Sequence, residues 1–209
     1  MDKAIYGLVG VVLGVFLTVA KEWWFQHRKN KKDAQYLSIQ VISMLDRYVA
    51  GCVEVVGDDG LYHGEPDEEG YSSIQVEVPK FAPEAAAVEW KSLPAELMYE
   101  ILTFPNNIEV ANNRISAAFE YAASPPDYSE GFEERQLQYS ELGIEADNLA
   151  SKLRQHSDLP KKPKRDWNPI EYMKNRKAEI LKNRAEREKR QKALMDKLSE
   201  IESEESSDS

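Results

Sequence analysis

The chain has 209 residues, of which 42% are apolar and 31% charged, and it carries a net charge of −10. This length supplies one modest domain beside a membrane anchor, and it excludes a large multidomain enzyme. A single cysteine, Cys52, excludes an intramolecular disulfide framework and favours a reducing compartment. The three histidines lie too far apart in sequence to provide the spacing of a zinc site.

The first element is an uncharged stretch from Ala4 to Ala20, which lies between Lys3 and Lys21. Its 17 residues would form a helix about 26 Å long, close to the roughly 30 Å hydrocarbon core of a bilayer. Aromatic rings and long basic side chains are favoured at headgroup depth. The stretch therefore predicts a transmembrane helix within an anchor segment 1–32, with interfacial residues at Lys21, Trp23, Trp24, Arg28 and Lys29.

The basic flanks of this span predict its orientation, because short loops rich in Lys and Arg stay on the cytoplasmic side. Only Lys3 precedes the span, whereas five basic residues follow it up to Lys32. We therefore expect a single-pass protein of the inner (plasma) membrane, with its N-terminus outside and its C-terminus in the cytoplasm. A cleaved signal peptide is the alternative, since Thr18-Val19-Ala20 resembles a cleavage site.

A stripe of small residues runs along one face of the predicted span, at Gly7, Gly10 and Gly14. The spacing of Gly10 and Gly14 lets two membrane helices approach closely. It predicts self-association or pairing with another membrane helix. The alternative is that the glycines reflect only the composition of membrane helices.

Charge is distributed in blocks along the rest of the chain. Residues 54–160 carry 22 acidic against 6 basic residues, a net charge of −16, whereas residues 161–195 carry 13 basic against 5 acidic residues, a net charge of +8. Such blocks indicate contact between the two segments or with charged partners.

The predicted fold is all-α, with an acidic helical bundle over 33–156. Apolar residues recur every three or four positions from Leu37 to Val56, so we predict one continuous helix from about Lys3 to Val56 that ends at Gly57. Gly57 to Gly70 has four glycines and six acidic residues, which predicts a solvated, mobile loop within a longer loop 57–82. It does not match the ligand pattern of a calcium-binding EF-hand. Alternation at Ile74, Val76 and Val78 predicts a short extended segment or edge strand.

Two further helical regions complete the predicted bundle. Helical segments are expected from Pro83 to Trp90 and from Pro94 onward. Pro105 interrupts the backbone ladder of the second segment, and an apolar stripe follows it as far as Ala122. The next helix spans Tyr128 to His156 and has an apolar face that begins at Phe132. Its other members are Tyr139, Leu142, Ala146, Leu149 and Leu153.

A linker over 157–168 precedes a long charged helix over 169–201. Asn168, Pro169 and Glu171 have the N-cap, N1 and N3 identities of a helix start. Heptad-spaced Met173, Ile180, Leu194 and Ile201 predict a weak coiled-coil seam, since Arg187 occupies its middle. The acidic tail 202–209 is expected to be disordered.

No sequence motif of an enzyme is present: there is no glycine-rich phosphate loop, GxSxG, HExxH or Cys/His pairing. We therefore expect a non-enzymatic membrane-anchored adaptor or scaffold with a protein partner or a second copy, and with no metal, cofactor or small-molecule substrate. The alternative is a membrane-tethered binder of nucleic acid or anionic lipid, because a basic helix releases counterions when it binds phosphates. A third interpretation is that this helix binds the acidic segment of its own chain. The candidate polyanion-binding residues are Arg176, Lys177, Arg184, Arg187 and Arg190.

Overall fold

The computed structural model describes the backbone of residues 2–86, 90–163 and 166–207, and the side chains of residues 14–86, 90–163 and 166–199. The described chain forms four α-helices and no strand. They are α1 (Asp2–Gly57), α2 (Ala95–Ala117), α3 (Ser129–His156) and α4 (Pro169–Ser207), and a short π-helical turn, Ala118–Ala122, continues α2. The predicted all-α bundle is confirmed.

Helix α1 is continuous over 56 residues, as predicted. From Ala34 to Val56 one face is buried in the core, whereas residues 14–32 are exposed on all sides. Among the described residues, no helix combines the length and apolar character needed to cross a membrane. The first ten residues of the predicted span, 4–13, lie outside the described side chains.

The described residues between Asp58 and Pro94, 58–86 and 90–94, form no strand. The edge strand predicted near Val76 is wrong, because the backbone N–H groups of Gln75 and Val76 both donate to the carboxylate of Asp58, at 3.1 Å, instead of to a neighbouring strand. The predicted helix from Pro83 to Trp90 is also absent in its described part. Only 3₁₀ turns form, at Pro83–Ala85 and Trp90–Ser92, while 87–89 lie outside the described residues.

Two residues near the start of the predicted solvated loop are buried, although most of the loop is exposed. Asp58 and Gly60 are buried, and the Asp58 carbonyl oxygen accepts a hydrogen bond of 2.8 Å from Gln136 Nε2. Gly57, Asp59 and the whole stretch from Tyr62 to Gly70 are exposed. The prediction fails at Asp58 and Gly60 because sequence composition does not show the anchoring contacts that α3 supplies.

Helix α2 contains Pro105, the position at which the sequence predicts an interruption of the backbone ladder, and it continues past that residue. Pro105 lacks an N–H donor and so removes one bond of the helical ladder. Buried residues on both sides of it, Ile101 and Phe104 before and Ala111 and Ile115 after, pack against the same core. This shared packing holds the two halves in one helix.

Helix α3 is the centre of the bundle, and it contacts the three other helices. Ser38 of α1 hydrogen-bonds Ser157, immediately after α3, at 2.7 Å. At its other end α1 ends next to Asp58, whose backbone binds Gln136. The helices α1 and α3 are therefore antiparallel. The contacts of Glu100 with Lys152 and of Asn112 with Tyr139 make α2 antiparallel to α3 as well.

Helix α4 docks on the bundle through its first half. Asn168 Oδ1 accepts hydrogen bonds from the N–H groups of Ile170 (3.1 Å) and Glu171 (3.4 Å), which confirms the predicted N-cap. Met173 and Ile180 are buried. The helix continues to Ser207, past the expected end at Ile201 and into the tail 202–209 that was expected to be disordered. No Gly or Pro interrupts it there, and each further residue adds a backbone bond to a helix already nucleated.

Candidate functional site

The contact between α3 and α4 brings the basic segment onto the acidic one. Arg184 Nε donates to Glu133 Oε1 at 2.6 Å, and Arg187 Nη2 donates to the same oxygen at 2.6 Å. Arg184 Nη1 lies 2.9 Å from Glu134 Oε2. One carboxylate of α3 is thus shared by two guanidinium groups of α4. We call Arg184, Arg187, Glu133 and Glu134 the arginine clasp.

Opposing effects act on the ionisation of the clasp. Burial alone would raise the pKa of Glu133, but the hydrogen bonds and charges of Arg184 and Arg187 outweigh it and hold that pKa below its ordinary value of 4.5. Burial alone would lower the pKa of Arg184, yet Glu133 and Glu134 raise it. The charged forms of both partners are therefore favoured.

Two other predicted polyanion-binding residues also contact α3. Arg176 donates to Gln136 Oε1 from Nε (3.0 Å) and Nη2 (2.7 Å), and Lys177 Nζ lies 2.8 Å from Glu141 Oε1. The last of the five, Arg190, donates to the Glu186 carbonyl oxygen of its own helix, at 3.3 Å, and to no side chain among the described residues. Four of the five candidate residues are therefore engaged by side chains of α3.

The apolar part of the contact lies beside Gly143 of α3. A Cβ atom at that position would stand 2.5 Å from Met173 Sδ and 3.0 Å from Cys52 Cβ. The missing side chain lets α1 and α4 reach α3 at the same level. Met173 is consequently buried, and Ile180 follows two turns later on the same face.

A buried ion pair fixes the end of α1 to α3. Arg135 Nη1 lies 2.7 Å from Asp58 Oδ2, and both side chains are almost fully buried. The other nitrogen, Nη2, donates to the Val76 carbonyl oxygen. Gln136 then joins this cluster to α4, since it donates to the Asp58 backbone and accepts from Arg176. Sequence reasoning missed this pair, although Arg135 and Gln136 stand three and four residues after the buried Phe132.

The reactive side chains of the core have packing roles. Burial raises the pKa of the Cys52 thiol. Burial also raises the pKa of Tyr139 to about 12, and its hydroxyl group donates to Asn112 Oδ1 at 2.8 Å. Among the described residues, no group of three His, Cys, Asp or Glu side chains could hold a metal ion.

An open groove of about 650 Å³ lies between α2 and α3. Lys152 Nζ donates to both carboxylate oxygens of Glu100 across it, at 2.7 and 2.6 Å, and Asn107 donates to Glu145 at 2.9 Å. These polar groups are therefore already paired with one another across the groove.

The predicted membrane-facing residues lie on the exposed part of α1. Gly14 would meet no atom within 4 Å if it carried a Cβ, and its carbonyl oxygen accepts a hydrogen bond of 2.9 Å from Thr18. Arg28 stacks over the Trp24 ring at 4.8 Å, and Lys21 lies 5.8 Å from the Phe25 ring. Trp23 and Lys29 are exposed. Gly7 and Gly10 lie outside the described side chains.

The described surfaces thus include the α3–α4 face, which brings the basic segment against the acidic one through the arginine clasp, and two exposed helical ends. Residues 14–32 of α1 extend beyond the bundle at one end, and α4 after Arg190 extends beyond it at the other. Comparison of the chain with protein-family models, with curated proteins and with solved structures found no match.

Proposed function

We propose that this protein is a single-pass, non-enzymatic membrane scaffold whose α1 anchors it and whose α4 reaches a protein partner in the cytoplasm. The observation that carries the proposal is the arrangement of the two exposed helical ends. Since α1 and α4 each run antiparallel to α3, they extend from opposite ends of the bundle. The bundle thereby separates a membrane-proximal end from a distal one.

The anchor rests on the sequence of Ala4 to Ala20 and on the continuity of α1. A span within this continuous helix would hold the bundle at a fixed distance from the membrane, because α1 has no break before Gly57. The pairing of Arg28 with Trp24 suits the interface, where an aromatic ring and a basic group are both favoured. Gly7, Gly10 and Gly14 would allow a second membrane helix to pack closely on this span.

The alternative, a tethered binder of nucleic acid or anionic lipid, is less well supported by the contacts. A polyanion would have to displace Glu133, Glu134 and Glu141 from the basic side chains that they hold. The segment 54–160, with its net charge of −16, would also repel a polyanion.

Membrane anchoring is tested by alkaline extraction of membranes that contain the full chain. The double variant Val12→Asp/Val15→Asp should release the chain, since a charge at the centre of a span costs about 2.5 to 3.5 kcal/mol. The matched control, Ser43→Asp/Ala50→Asp, adds the same charge to exposed positions of the same helix and should stay in the membrane. Release of the native chain by this treatment would contradict the anchor.

The scaffold role is tested by a photoreactive residue placed at the exposed Leu194 in intact cells. We expect a discrete crosslinked protein that is absent when the residue replaces the exposed Tyr121 instead. Crosslinks to nucleic acid or lipid alone would favour the alternative function.

A further inference from the structure

One face of α4 carries a seam that continues past the helix it packs on. Met173, Lys177, Ile180, Arg184 and Arg187 follow one another at alternating steps of four and three residues, and they all contact or face α3. The same alternation then gives Gln191, Leu194 and Leu198. Steps of this kind keep residues on one side of a helix. The outer seam, Gln191, Leu194 and Leu198, therefore faces the same direction as the docked residues.

The outer seam has no helix to pack on in the described part of the chain. The Leu194 side chain is 58% exposed, that of its neighbour Met195 61%, and that of Leu198 47%. Arg187 already pairs with Glu133, in the second turn of α3, so α4 passes the end of α3 near Arg190. The α3–α4 interface thus ends near Arg190, and the part of α4 beyond it carries the exposed apolar side chains.

Basic residues lie beside the outer seam, as they do in the part of α4 that packs on α3. Arg184 and Arg187 are held by carboxylates of α3, whereas Arg190 and Lys197, along the edge of the outer seam, form no ion pair among the described side chains. A helix that continued α3 would satisfy them if it carried Glu or Asp beside an apolar stripe.

We propose that the outer seam binds an acidic amphipathic helix of another protein, antiparallel to α4 and in line with α3. This inference rests on the proposed scaffold function and names the chemistry of the partner. Leu194 and Leu198 contact the apolar stripe of the partner, and Arg190 and Lys197 bind its carboxylates. The arginine clasp is the intramolecular example of the same recognition.

A second copy of the chain fits the outer seam less well. Two copies anchored in one membrane would bring their α4 helices together in parallel. Arg187 of one copy, within the seam, would then lie against Arg187 of the other, with Arg190 at the edge of the same contact. Like charges on facing helices weaken such pairing.

Two fluorescent peptides probe the full chain in detergent micelles. Both are four-heptad helices with Leu at the two seam positions, and they differ only in having Glu or Lys at the flanking positions. We expect the Glu peptide to bind and the Lys peptide not to bind. Leu198→Ser should weaken binding at least about 10-fold through lost apolar contact. Leu181→Ser, also 47% exposed and on the same helix but off the seam, should change it less than about 2-fold.

A charge exchange tests the ionic part of the proposal. The variant Arg190→Glu/Lys197→Glu should lose the Glu peptide and gain the Lys peptide. Equal binding of both peptides by the native chain, or equal effects of Leu198→Ser and Leu181→Ser, would overturn the proposed partner chemistry. A native chain that dimerises through Leu198 would also overturn it, in favour of a second copy.

Alkaline extraction of the same variants separates this inference from the function on which it rests. If the Glu peptide does not bind but the chain resists alkaline extraction, the proposed partner chemistry is rejected and the proposed scaffold function is not. Extraction of the native chain rejects the membrane anchor, whatever the peptides do.

Discussion

Asp58 is the residue on which the end of α1 depends. Its Oδ1 accepts the Gly60 N–H at 3.0 Å, and its Oδ2 accepts from Arg135 at 2.7 Å and from the backbone of Gln75 and Val76. Asp58→Ala would leave the Arg135 charge buried without its carboxylate. We expect the free energy of unfolding to fall by about 3 to 5 kcal/mol, measured by chemical denaturation of the full chain in detergent.

The control for this prediction is the neighbouring residue. Asp59 is exposed, and among the described residues it accepts one hydrogen bond, from the Leu61 N–H at 3.1 Å, so Asp59→Ala should cost less than about 1 kcal/mol. Equal losses for the two variants would show that the buried ion pair does not hold the loop.

The sequence indicates only one partner of the Asp58–Arg135 ion pair. Arg135 and Gln136 stand on the predicted buried side of α3, where a polar residue indicates a buried partner. Asp58, however, belongs to a loop that looks solvated by composition. Its partner lies 77 residues away, and no local rule connects positions at that separation.

At the scale of elements, Gly143 determines how closely α4 approaches the bundle. Gly143→Leu should displace Met173 and lower the free energy of unfolding by about 1 to 3 kcal/mol through overpacking. Met173→Ala alone should cost about 2 to 5 kcal/mol, because it opens a cavity. The double variant should be more stable than the sum of the two losses, since each change offsets the other.

Thermal or chemical unfolding of the four chains measures this coupling. Ser151→Leu, at an exposed position of α3, serves as the control and should change stability by less than about 0.5 kcal/mol. Strict additivity of the Gly143 and Met173 changes would mean that the two side chains do not compete for the same space.

The arginine clasp predicts a pH dependence of the docking of α4. A carboxyl group with a lowered pKa in the folded chain stabilises that chain fully above its ordinary pKa, and the effect disappears as pH falls through the lowered value. The difference in Tm between the native chain and Glu133→Gln should therefore be constant from about pH 7 to 5 and shrink below about 4.5.

Glu133→Gln is a useful reference because it leaves the neighbouring acidic residues Glu134 and Glu141 to titrate in both chains. Near pH 7 we expect it to cost about 1 kcal/mol, as for other partly exposed ion pairs. A Tm difference that grew on acidification would contradict the assigned direction of the pKa shift.

Periodicity and capping predicted the elements well where local signals are strong. The continuous α1, the extent of α3 and the N-cap of α4 at Asn168 all follow from residues a few positions apart. The edge-strand alternative at Val76 was wrong because the Asp58 carboxylate binds that backbone, and α2 continues past Pro105 because tertiary packing holds its two halves together. A local rule does not contain either of these effects.

At the scale of the whole molecule, the charge blocks predicted that unlike segments meet, and the α3–α4 ion pairs confirm contact between them. Which residues pair depends on the antiparallel register of α3 and α4, and that register is set by Gly143 and Met173. The net charges of the two segments therefore predict that α3 and α4 meet. They do not predict that Arg190 lies outside this contact.

The final prediction concerns the orientation of the whole molecule in the membrane. Cys52 is buried, and burial raises the pKa of its thiol, so it should react with maleimide only after denaturation. The native Cys52 therefore adds no maleimide label to that of an introduced cysteine in the folded chain. Asp2→Cys reports on the N-terminus, and Ser43→Cys reports on an exposed position of α1 in the bundle.

In intact cells a membrane-impermeant maleimide should label Asp2→Cys and not Ser43→Cys, and permeabilisation should expose Ser43→Cys. The physical reason is the excess of Lys and Arg after the span, which keeps that side in the cytoplasm. The native chain, with Cys52 alone, is the control and should stay unlabelled in both conditions. Labelling of Ser43→Cys before permeabilisation, with Asp2→Cys protected, would reverse the orientation and place the outer seam of α4 outside the cell. If Asp2→Cys is labelled neither before nor after permeabilisation, while Ser43→Cys is labelled, the N-terminal segment has been removed, which supports a cleaved signal peptide.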